Sequence, residues 1–385
     1  MSPLVLLIEN ENADELYPFA LTHPAWELRS GFLSVYERWQ RVVGDDLISV
    51  HSPRGKQLDV FSERHPRIDL REGAPLLVVV ASVLLSPGQM RSLVKKASDS
   101  KRPCVLMLDD LAIGAIMPAA PADVSMISPL LDAVGKEDVD VVHVKGRSIS
   151  RLWELLDAVD ECIQWDAELV DHHVDHTASI HQSAVIDVSK GPVIIGRHAE
   201  IGAMAVVQGP CSIGDHAVVK PLSHITHSVV GPYCKVGGEV SCSILHGYSN
   251  KQHYGFLGHS VIGEWVNLGA GTTTSNLKNT YHDVRPTMPW GRESSERMFL
   301  GSLIGDFTRT AIGTLLPTGG VYGVCSHIMA QGMSASSCRS FVWSNGVPYE
   351  REAALDTCRT MMHRRGRELT QSMCSLLDDI REQDA

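Results

Sequence analysis

The sequence predicts an α/β domain over residues 1–165, a left-handed parallel β-helix of hexapeptide repeats over 178–345, and a C-terminal helical segment over 346–385. Three observations carry this reading. Near-continuous apolar runs alternate with helical stretches in the first part, as in a sheet covered on both faces. Branched aliphatics then fall into an unbroken six-residue spacing, and after Tyr349 helical periodicity returns.

Leu4-Val-Leu-Leu-Ile8 reads as a buried strand, and Leu28 to Val43 carries apolar and aromatic residues at helical spacing. Leu76-Leu-Val-Val-Val-Ala-Ser82 and Pro103-Cys-Val-Leu-Met-Leu108 read as further strands. Met90 to Ser98 and Ser150 to Ile163 read as helices, so the alternation suggests a mostly parallel sheet. The repeat begins with Ile195, Ile201, Val207, Ile213, Val219 and Ile225. It resumes at Val230-Gly, Val236-Gly, Ile262-Gly, Leu268-Gly and Ile304-Gly. A triangular coil explains the period: each flat face holds a short strand with one aliphatic side chain pointing inward, and a small residue beside it lets the backbone turn. A β-sandwich would instead show period-two strands at irregular spacing. Ser241 to Gly258 and Leu277 to Met298 interrupt the pattern and read as loops leaving the coil. Leu355, Met362, Leu369 and Met373 mark one apolar face of the last helical segment.

A net charge of -11 over 385 residues, with no basic run, argues against nucleic-acid binding. The nine cysteines show no C-x-x-C pair and read as reduced thiols. The first residues turn acidic after a few apolar ones, unlike a signal peptide, and the longest apolar stretch, near Pro75–Leu85, is too short for a membrane span. The expectation is a soluble cytoplasmic protein with no membrane and no nucleic-acid partner.

One stretch is distinctive: Lys251, His253, Phe256-Leu-Gly258, Asn267-Leu-Gly-Ala-Gly-Thr272 and Ser275-Asn276. It resembles the acetyltransferase domain of the bifunctional glucosamine-1-phosphate N-acetyltransferase/N-acetylglucosamine-1-phosphate uridylyltransferase family. Gly191-Pro-Val-Ile-Ile-Gly, Glu200-Ile-Gly-Ala, Gly301-Ser-Leu-Ile-Gly-Asp306 and Leu16-Tyr-Pro-Phe-Ala-Leu-Thr-His-Pro-Ala-Trp-Glu-Leu-Arg-Ser-Gly31 are similar to a divergent branch with a shortened nucleotidyltransferase-like first domain. The resemblance implies acetyl-CoA-dependent N-acetylation of an amino-sugar phosphate of the glucosamine-1-phosphate kind, feeding UDP-N-acetylglucosamine synthesis. His253 would be the general base, since imidazole titrates near neutrality and an ammonium cannot attack a thioester. Lys220, Lys251, Phe256, Asn267 and Asn276 would bind substrate, with Ala270 and Gly271 lining the acyl-CoA channel. In that family the sites lie between coils of neighbouring subunits, so the resemblance implies a homotrimer.

The chain departs from that pattern in places. Phe256 stands where the family has a tyrosine, and Ser241 falls near the place of a second phosphate-binding lysine. Ile8-Glu-Asn-Glu-Asn-Ala-Asp14 lacks the glycines of a phosphate loop, Ala25 replaces the lysine expected after Pro24, and Val80-Ala-Ser-Val83 lacks the magnesium-binding aspartate. Arg29 is the one nearby cation, a candidate nucleotide contact. Uridylyl transfer from UTP or another NTP, with Mg2+, is expected only if this domain is active. Two alternatives stay open: a nucleotidyltransferase that uses the coil as a trimerising scaffold, or a non-catalytic sugar-nucleotide binder. Asn267 fits a substrate contact or an asparagine ladder, and Lys220 fits a phosphate contact or an exposed corner lysine. Asp171-His-His-Val-Asp-His176 reads as a solvated linker, not a metal site, and Asp109-Asp110 as a turn.

Overall fold

The computed structural model describes residues 2–66, 68–121, 139–330 and 332–384. The chain divides into two compact units: Met1–Asp14, His23–Leu28 and Leu33–Ser150 form the first, and Glu15–Thr22, Arg29–Phe32 and Arg151–Ala385 the second.

In the first unit six strands form one sheet: β1 (Leu4–Ile8), β2 (Ile48–His51), β3 (Leu76–Val80), β4 (Cys104–Leu108), β5 (Leu111–Met117) and β6 (Asp140–His143), in the order β2-β1-β3-β5-β4-β6. Every residue of β1, β3 and β4 is buried, as their apolar runs require. The sheet is mixed where a mostly parallel one was expected. β5 runs antiparallel to both β3 and β4. The cause is Asp109-Asp110, which turns the chain straight back into β5 with Asp109 at φ 51°. Helix α1 is Val35–Val43, shorter than the Leu28–Val43 helix expected. Ser34 caps it, accepting from the Glu37 amide while Glu37 accepts from the Ser34 amide, so the helix can start only there. Helices α2 (Gly55–Arg64) and α3 (Pro87–Asp99) follow, the latter capped by Ser86 with Pro87 in its first turn.

The second unit opens with α4 (Leu155–Ala167), whose apolar face packs on the strands Val206–Ile213 and His224–Val230 of the coil. The coil has three faces. One stacks Ser179–Ile180, Glu200–Ile201, Val218–Val219, Lys235–Val236 and Asn250–Lys251, all parallel and in register. Its interior is the aliphatic column predicted from the period: Ile195, Ile201, Val207, Ile213, Val219 and Ile225 are each at most 2% exposed. Burying each such side chain is worth about 1.5–3 kcal/mol.

The small residues act differently from the expectation that they carry the turn. Gly202 has an ordinary φ, but a Cβ there would meet the Pro221 nitrogen of the next coil at 2.5 Å. The left-handed turn is carried instead by large residues: His198, His216, Tyr233, Tyr248, Trp265 and Phe307 have φ between 55° and 60°. Their rings stack in one column with centroids 4.2 to 6.2 Å apart. A left-handed backbone costs a non-glycine residue roughly 1–2 kcal/mol. A ring stack returns about 0.5–1.5 kcal/mol per pair, which offsets most of it.

Ser241–Gly258 is not a loop. It contributes the strands Glu239–Ser241, Ile244–Gly247, Asn250–Lys251 and Phe256–Gly258, each paired with the coil before it. The interior residues there are Val240, Leu245, Lys251 and Leu257, so the six-residue phase slips and one aliphatic becomes a lysine. Leu277–Met298 does leave the coil, carrying the small hairpin Thr287–Met288/Gly291–Arg292. The C-terminal segment is two helices, α5 (Arg351–His363) and α6 (Gln371–Asp384), parted near Gly366 at φ 66°. No described helix is long and apolar enough to cross a membrane.

Candidate active site on the coil

Register places most of the candidate residues. Val219 pairs with Val236 and Val236 with Lys251 on one face, and Asn250 pairs with Asn267, which pairs with Arg309. The corner that follows this face therefore stacks Lys220, then Gly237-Gly238, then Gln252 to Gly255, then Gly269 to Gly271 in successive coils. His253, Ala270, Gly271 and Lys220 share that corner. Asn267 lies on the face just before it.

His253 is exposed at the corner. Its backbone is held from inside the coil. Lys251 occupies an interior position, 2% exposed, and its ammonium donates to the carbonyls of Gly237 and His253 at 2.8 Å each. Burial pushes the Lys251 amine down to about 8. The lysine thus ties the His253 turn to the coil beneath it. Tyr254 leans over Gly271: a Cβ on Gly271 would meet the Tyr254 hydroxyl oxygen at 2.8 Å, and its φ of 74° suits glycine. Lys220 is half-buried, and its carbonyl accepts from the Ser223 hydroxyl at 2.6 Å.

The adjacent face gathers Phe256 and Asn276 around Gly258. A Cβ on Gly258 would lie 2.2 Å from Phe256 Cζ and 2.9 Å from Asn276 Nδ2. Asn276 Nδ2 donates to His259 Nδ1 at 2.8 Å, which leaves the ring proton on Nε2. His259 stacks on Phe299 at 5.2 Å, and burial, with Arg297 nearby, holds its pKa below the usual histidine range. Sequence reasoning missed His259, although it directly follows the Phe256-Leu-Gly258 motif. It also missed Arg309, whose guanidinium bonds His327 Nε2 and the Tyr349 hydroxyl.

The first unit shows what fills the end of β1. Glu9 is buried there, and its carboxylate accepts from the Ala25 amide at 2.6 Å, from the Ser52 hydroxyl and from the Arg54 guanidinium. An internal ion pair stands where a glycine-rich loop would offer free amides. Arg29 is buried in the second unit and donates to the Phe32 carbonyl. At Asp171–His176, Asp175 accepts from the Thr177 amide and hydroxyl as the chain enters the coil.

These features can be set beside known proteins. Residues 5–174 match the sugar nucleotidyl transferase family. The chain is 37% identical over 132 residues to a bifunctional sugar-1-phosphate nucleotidylyltransferase/acetyltransferase of Sulfurisphaera tokodaii, covering 33% of each. It is 28% identical over 202 residues to the bifunctional protein GlmU of Methanococcus aeolicus, covering 51% of this chain and 47% of that one. The chain therefore matches between a third and a half of the length of these relatives. A solved UDP-N-acetylglucosamine O-acyltransferase from Moraxella catarrhalis aligns with 55% of the chain and 98% of its own at 14% identity, with a TM-score of 0.25. That score is too low to carry an argument. The Sulfurisphaera tokodaii relative carries a nucleotidylyltransferase and an acetyltransferase activity in its name.

Proposed function

We propose that the chain is an acetyl-CoA-dependent N-acetyltransferase acting on an amino-sugar phosphate, with His253 as the general base. The observation that carries this is the His253 corner. An exposed imidazole stands on a turn locked from within by Lys251, one coil below Ala270-Gly271 and beside the Asn267 rung. The Sulfurisphaera tokodaii relative, named as a nucleotidylyltransferase/acetyltransferase, supports the same chemistry.

The neutral amine of the acceptor attacks the thioester carbonyl. His253 takes the ammonium proton as the C–N bond forms, and coil backbone amides stabilise the oxyanion. The C–S bond then breaks, and the imidazolium returns a proton to the leaving thiolate. Lys251 acts through the His253 backbone, since its ammonium is spent on two carbonyls inside the coil. Lys220, two coils below on the same corner, offers the acceptor phosphate a point charge. Ala270 and Gly271 present a surface with little side chain, along which the acyl-CoA arm can lie. Asn267 and Asn276 orient the acceptor, and Phe256 packs against it. The exposed apolar side chains of the same corner fit a partner coil, and hence a homotrimer. Nine free thiols suit a reducing compartment such as the cytoplasm.

A second reading, sugar nucleotidyl transfer by the first unit, has the family match in its favour. The Glu9–Arg54 pair at the end of β1 counts against phosphate binding there, so UTP and Mg2+ enter only with that second activity.

The deciding measurement is thiol release from acetyl-CoA in the presence of a panel of amino-sugar 1-phosphates. Release with one acceptor, falling about 100-fold or more in His253→Ala, is the expected result for loss of a general base. Full activity in His253→Ala would end the proposal.

A further inference from the structure

Beside the His253 corner, a cleft of about 810 Å³ opens between the coil face that carries Asn250, Asn267 and Arg309 and helix α5 with the turn after it. Its lining is cationic although the chain as a whole is acidic. Lys235 comes from the coil, Arg364 and Arg365 from the turn, and Arg309 from the far end of the Asn250–Asn267–Arg309 row. Among the described residues none of these four is ion-paired. Arg365 spends its guanidinium on neutral acceptors, the Asn250 side-chain oxygen at 2.7 Å and the Tyr233 carbonyl at 3.3 Å. Arg309 likewise meets only His327 and the Tyr349 hydroxyl, and its Nε is buried without an acceptor. Asp356, the one acid of the lining, is already bound to Arg359 at 2.6 Å.

Four cations held together with few counter-charges repel one another, and the fold must carry that cost. Lys235 registers it: burial first, then Arg365, Lys220 and Arg364, hold its amine below the usual lysine range, with Glu200 as a partial offset. Such an arrangement favours an anion that completes it. A single carboxylate would leave most of the charge unmet, whereas a phosphoryl dianion accepts from several donors at once and matches the arginine fork. The cleft is also far larger than a free phosphate, which points to a phosphoryl group carried on a bigger molecule.

We propose that this cleft is a binding site for a phosphate-bearing ligand, whose phosphoryl group lodges among Lys235, Arg364 and Arg365, with Arg309 and the amides of Asn250 and Asn267 completing the polar wall. Asn267 also orients the acceptor under the proposed function, whereas Lys235, Arg309, Arg364 and Arg365 take no part in acetyl transfer, so variants of these cations read binding in the cleft alone.

The test is calorimetric titration of the full chain with inorganic pyrophosphate at low salt. Glucosamine 1-phosphate, coenzyme A and 3′-dephospho-coenzyme A follow as separate arms. Pyrophosphate should bind the unaltered chain and weaken as salt is raised. The Arg364→Gln/Arg365→Gln pair, and separately Lys235→Gln, should each weaken it about tenfold or more, as loss of a charged hydrogen bond does. Lys235 lies on the coil face and Arg364 and Arg365 in the turn after α5, none of them in the core, and an unchanged melting temperature will show that the variants fold. His253→Ala should bind pyrophosphate as the unaltered chain does, which separates this site from the catalytic corner. The arm whose affinity falls in step names the source: the sugar phosphate, or coenzyme A with or without its 3′-phosphate. No pyrophosphate binding, or binding that the arginine pair leaves untouched, overturns the proposal.

Discussion

Lys251 shows how much one residue can depend on its place. It pairs in register with Val236, where the coil stacks aliphatics, and its stem runs through the apolar interior before the ammonium reaches two carbonyls at the corner. A buried cation of this kind is poor value for stability alone, since a well-packed apolar residue of similar size often serves as well or better. Its worth lies in holding the His253 turn. Lys251→Met should therefore melt within a few degrees of the unaltered chain. Its kcat should nevertheless fall about tenfold or more, with the acceptor KM little changed, because only the placement of the base is lost. Steady-state kinetics alongside thermal melts check both halves. If kcat survives, the lysine is a packing residue only.

At the scale of elements, the coil is a stack in which each corner must satisfy its neighbours above and below. The glycines answer to close approach by the next coil, and the rings answer to the left-handed turn, so neither can be exchanged for the other. A second aromatic group ends the stack, where His327 lies 4.1 Å from Trp343 and 4.3 Å from Tyr349. Burial, with Arg309 beside it, pushes the His327 imidazole down to about 4 from 6.5. The sign follows from linkage. Between these values the unfolded chain takes up a proton that the folded chain refuses, so stability is lost as pH falls from about 6.5 to about 4. Melting temperatures measured across that window should drop, and His327→Asn should drop less steeply. Equal slopes for the two would place the acid sensitivity elsewhere.

Over the whole second unit, the corner that carries His253 also exposes a column of large apolar side chains. Leu222 is 70%, Tyr254 75% and Ile312 77% exposed, with Met204 and Met329 continuing the line. Scattered apolar residues need no explanation, but a line of them along one edge marks an interaction surface. Three parallel coils packed edge to edge would cover it and place each His253 beside a neighbour. Ile312→Glu should then shift sedimentation from trimer toward monomer and remove most acetyl transfer, while leaving the melting of the coil itself near its original value. A monomeric unaltered chain would refute this arrangement.

Much of this was legible in the sequence, and the reason is geometric. One inward side chain per face forces a six-residue period, so Ile195 to Ile225 announced the coil, and the His253-to-Asn276 stretch carries the resemblance on which the proposed chemistry rests. Capping chemistry and chain reversal were harder to read. Ser34 shortened α1, Asp109-Asp110 reversed β5, and Gly366 split the last helix, each through a local bond or dihedral that hydrophobic period does not report. Ser241–Gly258 looked like a loop because its interior residues slip phase and include a lysine. What the sequence alone determined is the repeat and the strands that must be buried, since these follow from periodicity along the chain. What only the tertiary structure decided is which of them meet: that Lys251 points inward to hold His253, that Glu9 binds Arg54, and that four cations from the coil and the turn after α5 face one cleft. Those meetings depend on register between coils and on where distant segments pack, and a register shift of one residue would turn Lys251 and Lys235 to the other side of their strands.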